Sequence, residues 1–243
     1  MPTSRLGIAG LVVLALAIPA AGLVPLPITA RWYLTIALIV AFLMLIGKLR
    51  NDRLGGFLID NRKKVSLSRL QLVGWTVLIL SAFSTAAFWN ILHGVKDPLS
   101  IVVPEHVWAL MGISVTSFVG SRVVKSSKRA TGHLAENVTP MAARTTDIFK
   151  EEDEGTEETV DLGKVQMFLF TLIVFAAYAV ALGTLLLDHE SKRSVIQAFP
   201  ELSEGMLALL GLSHTGYLAN KAVPARTDER LAGSRGVNTN VGQ

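Results

Sequence analysis

Five long blocks of apolar residues, all without Asp, Glu, Lys or Arg, constrain this chain more than any other feature of its sequence. They span residues 6–24, 32–47, 70–92, 107–121 and 165–187. A helix needs roughly 20 apolar residues to cross a bilayer core about 30 Å thick, and each block meets or approaches that length. Helices of this length in a water-soluble protein carry a charged face, which these blocks lack. The sequence therefore predicts an all-α integral membrane protein.

A sixth block, residues 205–220, is shorter and more polar but also has no acidic residue, lysine or arginine. With it, we expect six transmembrane helices. The first block leaves an alternative open, because Arg5, the apolar run after it and the small residues at 19–22 are also typical of a signal peptide. Cleavage there would leave five helices. The block is long for a signal sequence, so we expect it to be retained.

The basic residues predict the orientation of the chain. With the N-terminus inside and six crossings, 19 of the 23 Lys and Arg residues fall on inner segments, and the four outer ones are Arg31, Lys96, Lys192 and Arg193. Cytoplasmic loops carry an excess of Lys and Arg, so both termini are expected in the cytoplasm. The net charge of +4 is then explained by topology, with the lipid bilayer as the partner and no nucleic acid.

Two parts of the sequence recur in the same order. Residues 69–76 align with residues 164–171, and both contain a cation, a glutamine two positions later, an aromatic residue and a threonine. Residues 105–124 align with residues 204–223, and both begin with Glu. Each copy contains two spans, which return the chain to the same side. The sequence therefore predicts a duplicated two-helix hairpin with both copies in parallel orientation, related by an axis along the membrane normal.

The second helix of each copy carries small residues at every fourth position. They are Gly112, Thr116 and Gly120 in the first copy, and Gly211, Thr215 and Ala219 in the second. Small residues at this spacing let another backbone approach closely in lipid. They predict helix packing, either within the bundle or between copies of the chain in a homo-oligomer.

These features divide the chain into six parts. The parts are an N-terminal helical hairpin (1–48), a cytoplasmic basic and amphipathic segment (49–69), the first hairpin repeat (70–124), a cytoplasmic charged linker (125–162), the second hairpin repeat (163–223) and a disordered cytoplasmic tail (224–243). The linker changes from basic to acidic, which is typical of a solvated segment. Its acidic run lacks the ligand spacing of a calcium loop, so no metal site is expected there.

The segment 49–69 permits two interpretations. It combines apolar residues at 57–59 with nearby cations, which suits a stretch lying at the lipid headgroups. The alternative is that Asp60, Asn61 and Arg62 bind a cytoplasmic protein partner or a regulatory ligand.

The same region carries a resemblance. The Ile-Asp-Asn-Arg sequence at 59–62, the Ser-Leu-Ser-Arg-Leu-Gln sequence at 66–71 and Trp75 resemble a pattern in a group of bacterial multi-pass inner-membrane proteins without assigned function. Residues 211–218 are similar to the same group. The resemblance implies a location in the bacterial plasma membrane and brings no activity, cofactor or catalytic residue.

The sequence offers little catalytic chemistry. It has no cysteine, which excludes disulfides, zinc–thiolate sites and cysteine nucleophiles. Ionisable groups deep in a membrane usually mark functional sites, and His214 is the only one near the middle of a predicted span. It either hydrogen-bonds a neighbouring helix or serves as a proton relay or gate. We therefore expect no enzyme, no catalytic residue, no metal and no cofactor.

Two functional hypotheses remain. The first is a non-enzymatic membrane scaffold or interaction protein whose charged inner segments contact partners, and the scarcity of charge in the spans favours it. The alternative is an oligomeric channel for ions or small solutes, or with less support a transporter. The residues that would form its polar path are Ser81, Ser84, Thr85, Ser114, Ser117, Ser121 and His214. Serine and threonine also satisfy backbone groups within packed bundles, so these residues do not decide between the two.

Overall fold

The computed structural model describes residues 5–130, 136–151 and 159–222. Over these residues the chain forms six α-helices and no β-strand. The helices are α1 (Arg5–Ala20), α2 (Ile28–Asn51), α3 (Leu67–Leu92), α4 (Glu105–Ala130), α5 (Leu162–Lys192) and α6 (Glu204–Ala222). The all-α class expected from the apolar blocks is confirmed.

Five stretches of the described residues are long and apolar enough to cross a membrane. They are Arg5–Leu23, which is α1 with the short turn after it, the helices α2, α3 and α5, and Glu105–Ser126 within α4. The remaining helix, α6, has 19 residues and contains Ser213, His214 and Thr215 at its centre, which lower its hydropathy. The fold is therefore compatible with a multi-pass membrane protein. The sixth crossing stays a prediction.

The helix α3 lies at the centre of the bundle. It packs against α2, α4 and α5, while α6 packs against both α4 and α5, so that α3 to α6 form a closed ring of four. Of its 26 residues, 14 are buried. The helix α1 packs against α2 and has no buried residue, which places it at the edge of the bundle.

Aromatic side chains form the contacts between α3 and its neighbours. The ring of Trp75 lies edge-on to Phe175 of α5 at 5.3 Å between centroids, and 6.2 Å from Tyr178. On the other side, Nε1 of Trp32 in α2 donates a 3.0 Å hydrogen bond to Oγ of Ser81. Aromatic residues supply large packing area, but a buried indole N–H needs an acceptor. Ser81 provides it.

The loops at one end of the bundle, residues 93–104 and 193–203, form a structured cap. Val102 donates its N–H to the carbonyl of Gln197 at 2.8 Å and accepts from the N–H of Phe199 at 2.9 Å. The side chain of Asn90 donates to the carbonyl of Ile196 at 2.8 Å and accepts from its N–H at 2.9 Å. Paired backbone groups and buried Ile196 and Phe199 thus join the two loops.

At the opposite end, the structure differs from the segment boundaries expected from the sequence. The helix α4 continues to Ala130, past the expected boundary at 124. In the stretch expected as a solvated linker, Ala143 and Ile148 are buried. Ile148 packs with Leu67 and Met167, so apolar contacts order this stretch despite its charge. Most of the acidic run and the whole tail from residue 224 lie outside the described residues.

Candidate functional site

The residues expected to contact a partner lie in a tight turn between α2 and α3. Ile59 and Val65 form an isolated antiparallel bridge, and the N–H of Asp60 donates to the carbonyl of Lys64 at 2.9 Å. Lys63 has a φ of 60°, the left-handed conformation that closes the turn. The Asp60 side chain accepts from the N–H of Arg62 at 2.9 Å, which is a common way for aspartate to stabilise a turn.

Asp60 is the electrostatic centre of this region. Its Oδ2 accepts from Nζ of Lys125 at 2.7 Å and from Nε of Arg62 at 3.1 Å. Burial alone raises the pKa of Asp60, but the charges of Lys125 and Arg62 and the hydrogen bonds that they donate outweigh burial and lower the pKa from 3.8 to about 2. The carboxylate is therefore ionised at neutral pH and ties the turn to the end of α4.

A second segment docks onto this turn. One guanidinium nitrogen of Arg53 donates to the carbonyl oxygens of Pro140 at 3.1 Å, Met141 at 3.3 Å and Ala143 at 2.6 Å. Nearby, Nζ of Lys63 donates to the carbonyl of Val138 at 2.7 Å. We name residues 52–66 together with residues 136–150 the platform, because these contacts make them one unit.

The platform is also joined to the start of α5. Lys164 is 3% exposed, and its Nζ donates to the carbonyl of Lys150 at 2.5 Å. The rings of Phe149 and Phe168 lie edge-to-face at 5.2 Å between centroids. A buried lysine stem whose ammonium reaches a carbonyl and a pair of packed rings thus connect the platform to α5.

A pocket of about 150 Å³ lies between the platform and the ends of α3 and α4. We name it the basic pocket. Its lining residues are Asp60, Asn61, Arg62, Ser66, Arg69, Phe118, Ser121, Arg122, Lys125 and Ser126. These residues include four permanent cations and one carboxylate, so the described wall carries an excess of positive charge.

Two of the arginines contact the same aromatic ring. The guanidinium carbon of Arg69 is 5.9 Å from the centroid of Phe118, and that of Arg122 is 5.5 Å from it. Arg69 also donates to the carbonyl of Ile59 at 2.7 Å. Cation–π contact orients a guanidinium plane without using its N–H donors, so both arginines keep donors for another group.

The sequence placed Asp60, Asn61 and Arg62 in a contact site, and all three line the basic pocket. The sequence did not single out Arg69, Arg122 or Lys125, which complete the wall. In the sequence these three residues are cations at the ends of predicted spans. The positive-inside rule explains such cations by topology, so the sequence alone does not mark them as part of a site.

The residues expected to form a polar path separate into different surroundings. Ser81 accepts a hydrogen bond from Trp32 and donates one to the carbonyl of Leu78 in its own helix. On the same helix, Thr85 is buried and Ser84 is half-buried. Ser121 lines the basic pocket. The side chains of Ser114, Ser117 and His214 are buried. Of the whole set, Ser117 and His214 are brought together, in a cleft between α4 and α6.

This cleft has a volume of about 320 Å³ and contains several of the small residues expected at a packing surface. Gly112, Thr116, Gly211 and Thr215 line it. Of the other two, Gly120 lies where a Cβ would be 3.4 Å from Leu218, and Ala219 is exposed. Most of the small residues therefore lie at the contact between α4 and α6. Gly112 and Thr116 are also exposed, so the cleft beside this contact is open to the surface.

Some polar atoms of α3, α4 and α6 are buried without a hydrogen-bond partner among the described residues. They are Oε1 of Gln71, Oγ1 of Thr85, Oγ of Ser117, Oγ of Ser213 and Nδ1 of His214. An unpaired buried polar group is costly, and ordered water commonly satisfies such groups. The part of the bundle around Ser117 and His214 is thus chemically suited to water or a small polar solute.

Within the described residues, no group of three or more His, Cys, Asp or Glu side chains is placed to hold a metal ion. Comparison with family models, with curated proteins and with solved structures gives no match to this chain. The fold and the site therefore define the class: an all-helical chain with five helices able to cross a membrane and a charged, folded platform at one end.

Proposed function

We propose that this chain is a non-enzymatic scaffold or interaction protein of the bacterial plasma membrane, and that the platform binds a cytoplasmic protein partner. The observation that carries the proposal is the docking of residues 136–150 onto the turn 52–66 through Arg53 and Lys63. A simple connection between spans needs no such folded unit. Ordering a surface in advance lowers the entropic cost of binding a partner.

The proposed topology has six spans with both termini in the cytoplasm. Support comes from the distribution of the 23 cations and from the two ends of the bundle. The platform end carries Arg62, Lys63, Lys64, Arg69, Arg122 and Lys125, whereas the cap loops contain Lys96 and Arg193. An excess of cations at one end is what the positive-inside rule predicts for the cytoplasmic side.

The proposal includes a duplicated hairpin in parallel orientation. In its support, α3 packs on α5 and α4 packs on α6, so corresponding helices of the two copies are neighbours. Glu105 and Glu204 are the first residues of α4 and α6, and the aligned Ser114 and Ser213 are both buried. A negative charge in the first turn interacts favourably with the positive end of the helix dipole, so the glutamate has the same role in both copies.

Site-specific photocrosslinking in living cells tests the interaction function. A photoreactive amino acid is introduced at Val138 or Met141, which are 87% and 63% exposed on the platform, and at Leu99, 64% exposed in the cap, as the matched control. We expect the two platform positions to capture one and the same cytoplasmic protein, and Leu99 to capture none of it. The purified partner should then bind the wild-type chain and bind Arg53→Ala more weakly.

Two results would overturn this proposal. One is equal capture of any product from the cap and the platform, since that is the pattern of random collision. The other is binding of the purified partner that is unchanged when Arg53→Ala detaches residues 136–150 from the turn.

A second function is favoured by one specific observation, the unpartnered atoms of Ser117 and His214 in the cleft between α4 and α6. A narrow path for ions or small solutes would use such groups to replace water around a permeant species. Flux across liposomes containing the purified chain tests it. Selective leakage that Ser117→Leu and His214→Ala abolish supports a channel, and liposomes that stay tight exclude one.

A further inference from the structure

The basic pocket lies at one end of two candidate membrane spans, α3 and α4. Arg69 is in the first turn of α3, and Arg122 and Lys125 are near the inner end of α4. If α3 and α4 are spans, these side chains lie at the boundary between hydrocarbon and headgroups. Any group that binds there must be compatible with that depth.

Among the described residues, the lining of the pocket contains more cations than carboxylates. Asp60 is shared between Lys125 and Arg62, while Arg69 and Arg122 face the same space. Arg69 and Arg122 are two like charges beside a pocket of about 150 Å³, and like charges repel one another more strongly in a partly desolvated pocket than in water. An anion between them would relieve that repulsion.

The geometry of the donors suits a tetrahedral oxyanion. Arg69 and Arg122 both contact the ring of Phe118 and line the same pocket, and guanidinium groups bind phosphate through paired N–H donors. Ser66 is 6% exposed, lines the pocket and is the N-cap residue of α3, yet its side chain makes no capping hydrogen bond. A helix start with a hydroxyl that is still available is a second feature that stabilises an anion.

We propose that the basic pocket binds a phosphate group, held by Arg69 and Arg122 with Ser66 at the start of α3. This inference rests on the proposed function in that it gives the platform a ligand: a phosphate there would join the turn 59–65 to α3 and α4. The phosphate belongs either to the headgroup of an anionic phospholipid or to a soluble phosphate compound. Asp60, which also lines the pocket, is paired with Lys125 and Arg62.

The experiment uses the purified full-length chain in a non-ionic detergent and has two arms. In the lipid arm, native mass spectrometry counts phosphatidylglycerol retained per chain after titration. In the soluble arm, inorganic phosphate is titrated and the thermal unfolding midpoint is followed, with sulfate-free chloride buffer of equal ionic strength as the reference.

The variant is Arg122→Gln, because Arg122 is exposed and its contact with Phe118 is not part of the core, so folding is expected to be kept. Arg69→Lys is the second variant, since it keeps the charge and loses the paired donors. Arg193→Gln, which removes an exposed cation in the cap, far from the pocket, is the matched control. Loss of one charge-assisted contact should weaken binding about tenfold.

We expect one arm to show a single phosphate bound per chain, weakened by Arg122→Gln and Arg69→Lys and unchanged by Arg193→Gln. Response in the lipid arm identifies a headgroup, and response in the soluble arm identifies a free phosphate. No saturable binding in either arm, or equal weakening by the control, would overturn the inference. If the platform crosslinks persist while neither arm responds, this inference fails and the interaction function does not.

Discussion

Lys125, near the C-terminal end of α4, donates a 2.7 Å hydrogen bond from Nζ to the carboxylate of Asp60 in the turn before α3. The two residues are far apart in the sequence, and each is mostly buried, with side chains 12% and 8% exposed. A buried carboxylate paired with two cations is costly to remove, because both cations then lose a charge-assisted hydrogen bond in a mostly buried site. The position of the turn therefore depends on the charge of one side chain.

Replacement of Asp60 by asparagine should destabilise the folded chain, by about 2 kcal/mol from the lowered pKa alone. The folded pKa, about 2, lies below the ordinary 3.8. The stabilisation is therefore fully present above the unfolded pKa and is lost as the pH falls from about 5 towards 2. Unfolding of wild type and Asp60→Asn in detergent should differ most at pH 7 and converge at low pH.

The control for that experiment is Asp52→Asn. Asp52 pairs with Lys48 in an exposed i,i+4 contact, and such pairs contribute little to stability. We expect its unfolding curve to follow the wild type across the whole pH range. A gap between wild type and Asp60→Asn that stays constant down to pH 2 would show that the charge of Asp60 is not what holds the turn.

Gly56 is expected to tolerate no side chain. A Cβ at Gly56 would overlap the carbonyl of Gly47, because the turn after α2 packs directly on the helix end, whereas a Cβ at Gly55 meets no atom within 4 Å. Gly56→Ala should lower the unfolding free energy by about 1–3 kcal/mol, and Gly55→Ala should leave it nearly unchanged. Thermal unfolding of both variants checks this, and equal midpoints would contradict the close approach.

Asn90 should be required for the order of the cap. Its side chain makes two hydrogen bonds to the backbone of Ile196, so Asn90→Leu leaves a buried N–H and C=O unpaired, at a cost of about 1–3 kcal/mol each. We expect faster tryptic cleavage at exposed Arg193. Thr184→Val, which removes an exposed hydroxyl bonded within its own helix, is the control. Identical cleavage rates for both variants would show that the cap does not depend on Asn90.

The absence of cysteine from the sequence makes the orientation directly measurable. A membrane-impermeant thiol reagent should label Leu99→Cys in intact cells and Val138→Cys only after permeabilisation, since these positions are exposed at opposite ends of the bundle. Background labelling is measured on the cysteine-free wild type. Labelling of Val138→Cys in intact cells would reverse the proposed orientation.

The apolar blocks predicted α1 to α5 well, because long uncharged runs have few alternatives to a membrane helix. The boundaries near charged residues were less predictable. The sequence suggested a solvated linker from residue 125, but α4 runs on to Ala130 and Ile148 is buried among Leu67 and Met167. A few apolar residues spread among charges give no periodic signal, and their burial depends on partners distant in the chain.

The candidate sites show the same division. Asp60, Asn61 and Arg62 were predicted from the sequence as a possible partner contact, but Lys125, which pairs with Asp60, and the two arginines at Phe118 were not. Most residues of the predicted polar path are buried. Local sequence does not specify which helix each one faces, so Ser81, Ser117 and Ser121 were grouped together although they lie in separate surroundings.

The sequence by itself determined the helical class, the five long apolar helices and the concentration of cations at one end, because these follow from composition along a continuous run of residues. Only the tertiary structure decided that the segments 52–66 and 136–150 form one platform and that Asp60 meets Lys125. Those contacts join residues that are distant in the chain, and a hydrogen bond or an ion pair depends on distances of a few ångströms that no local pattern specifies.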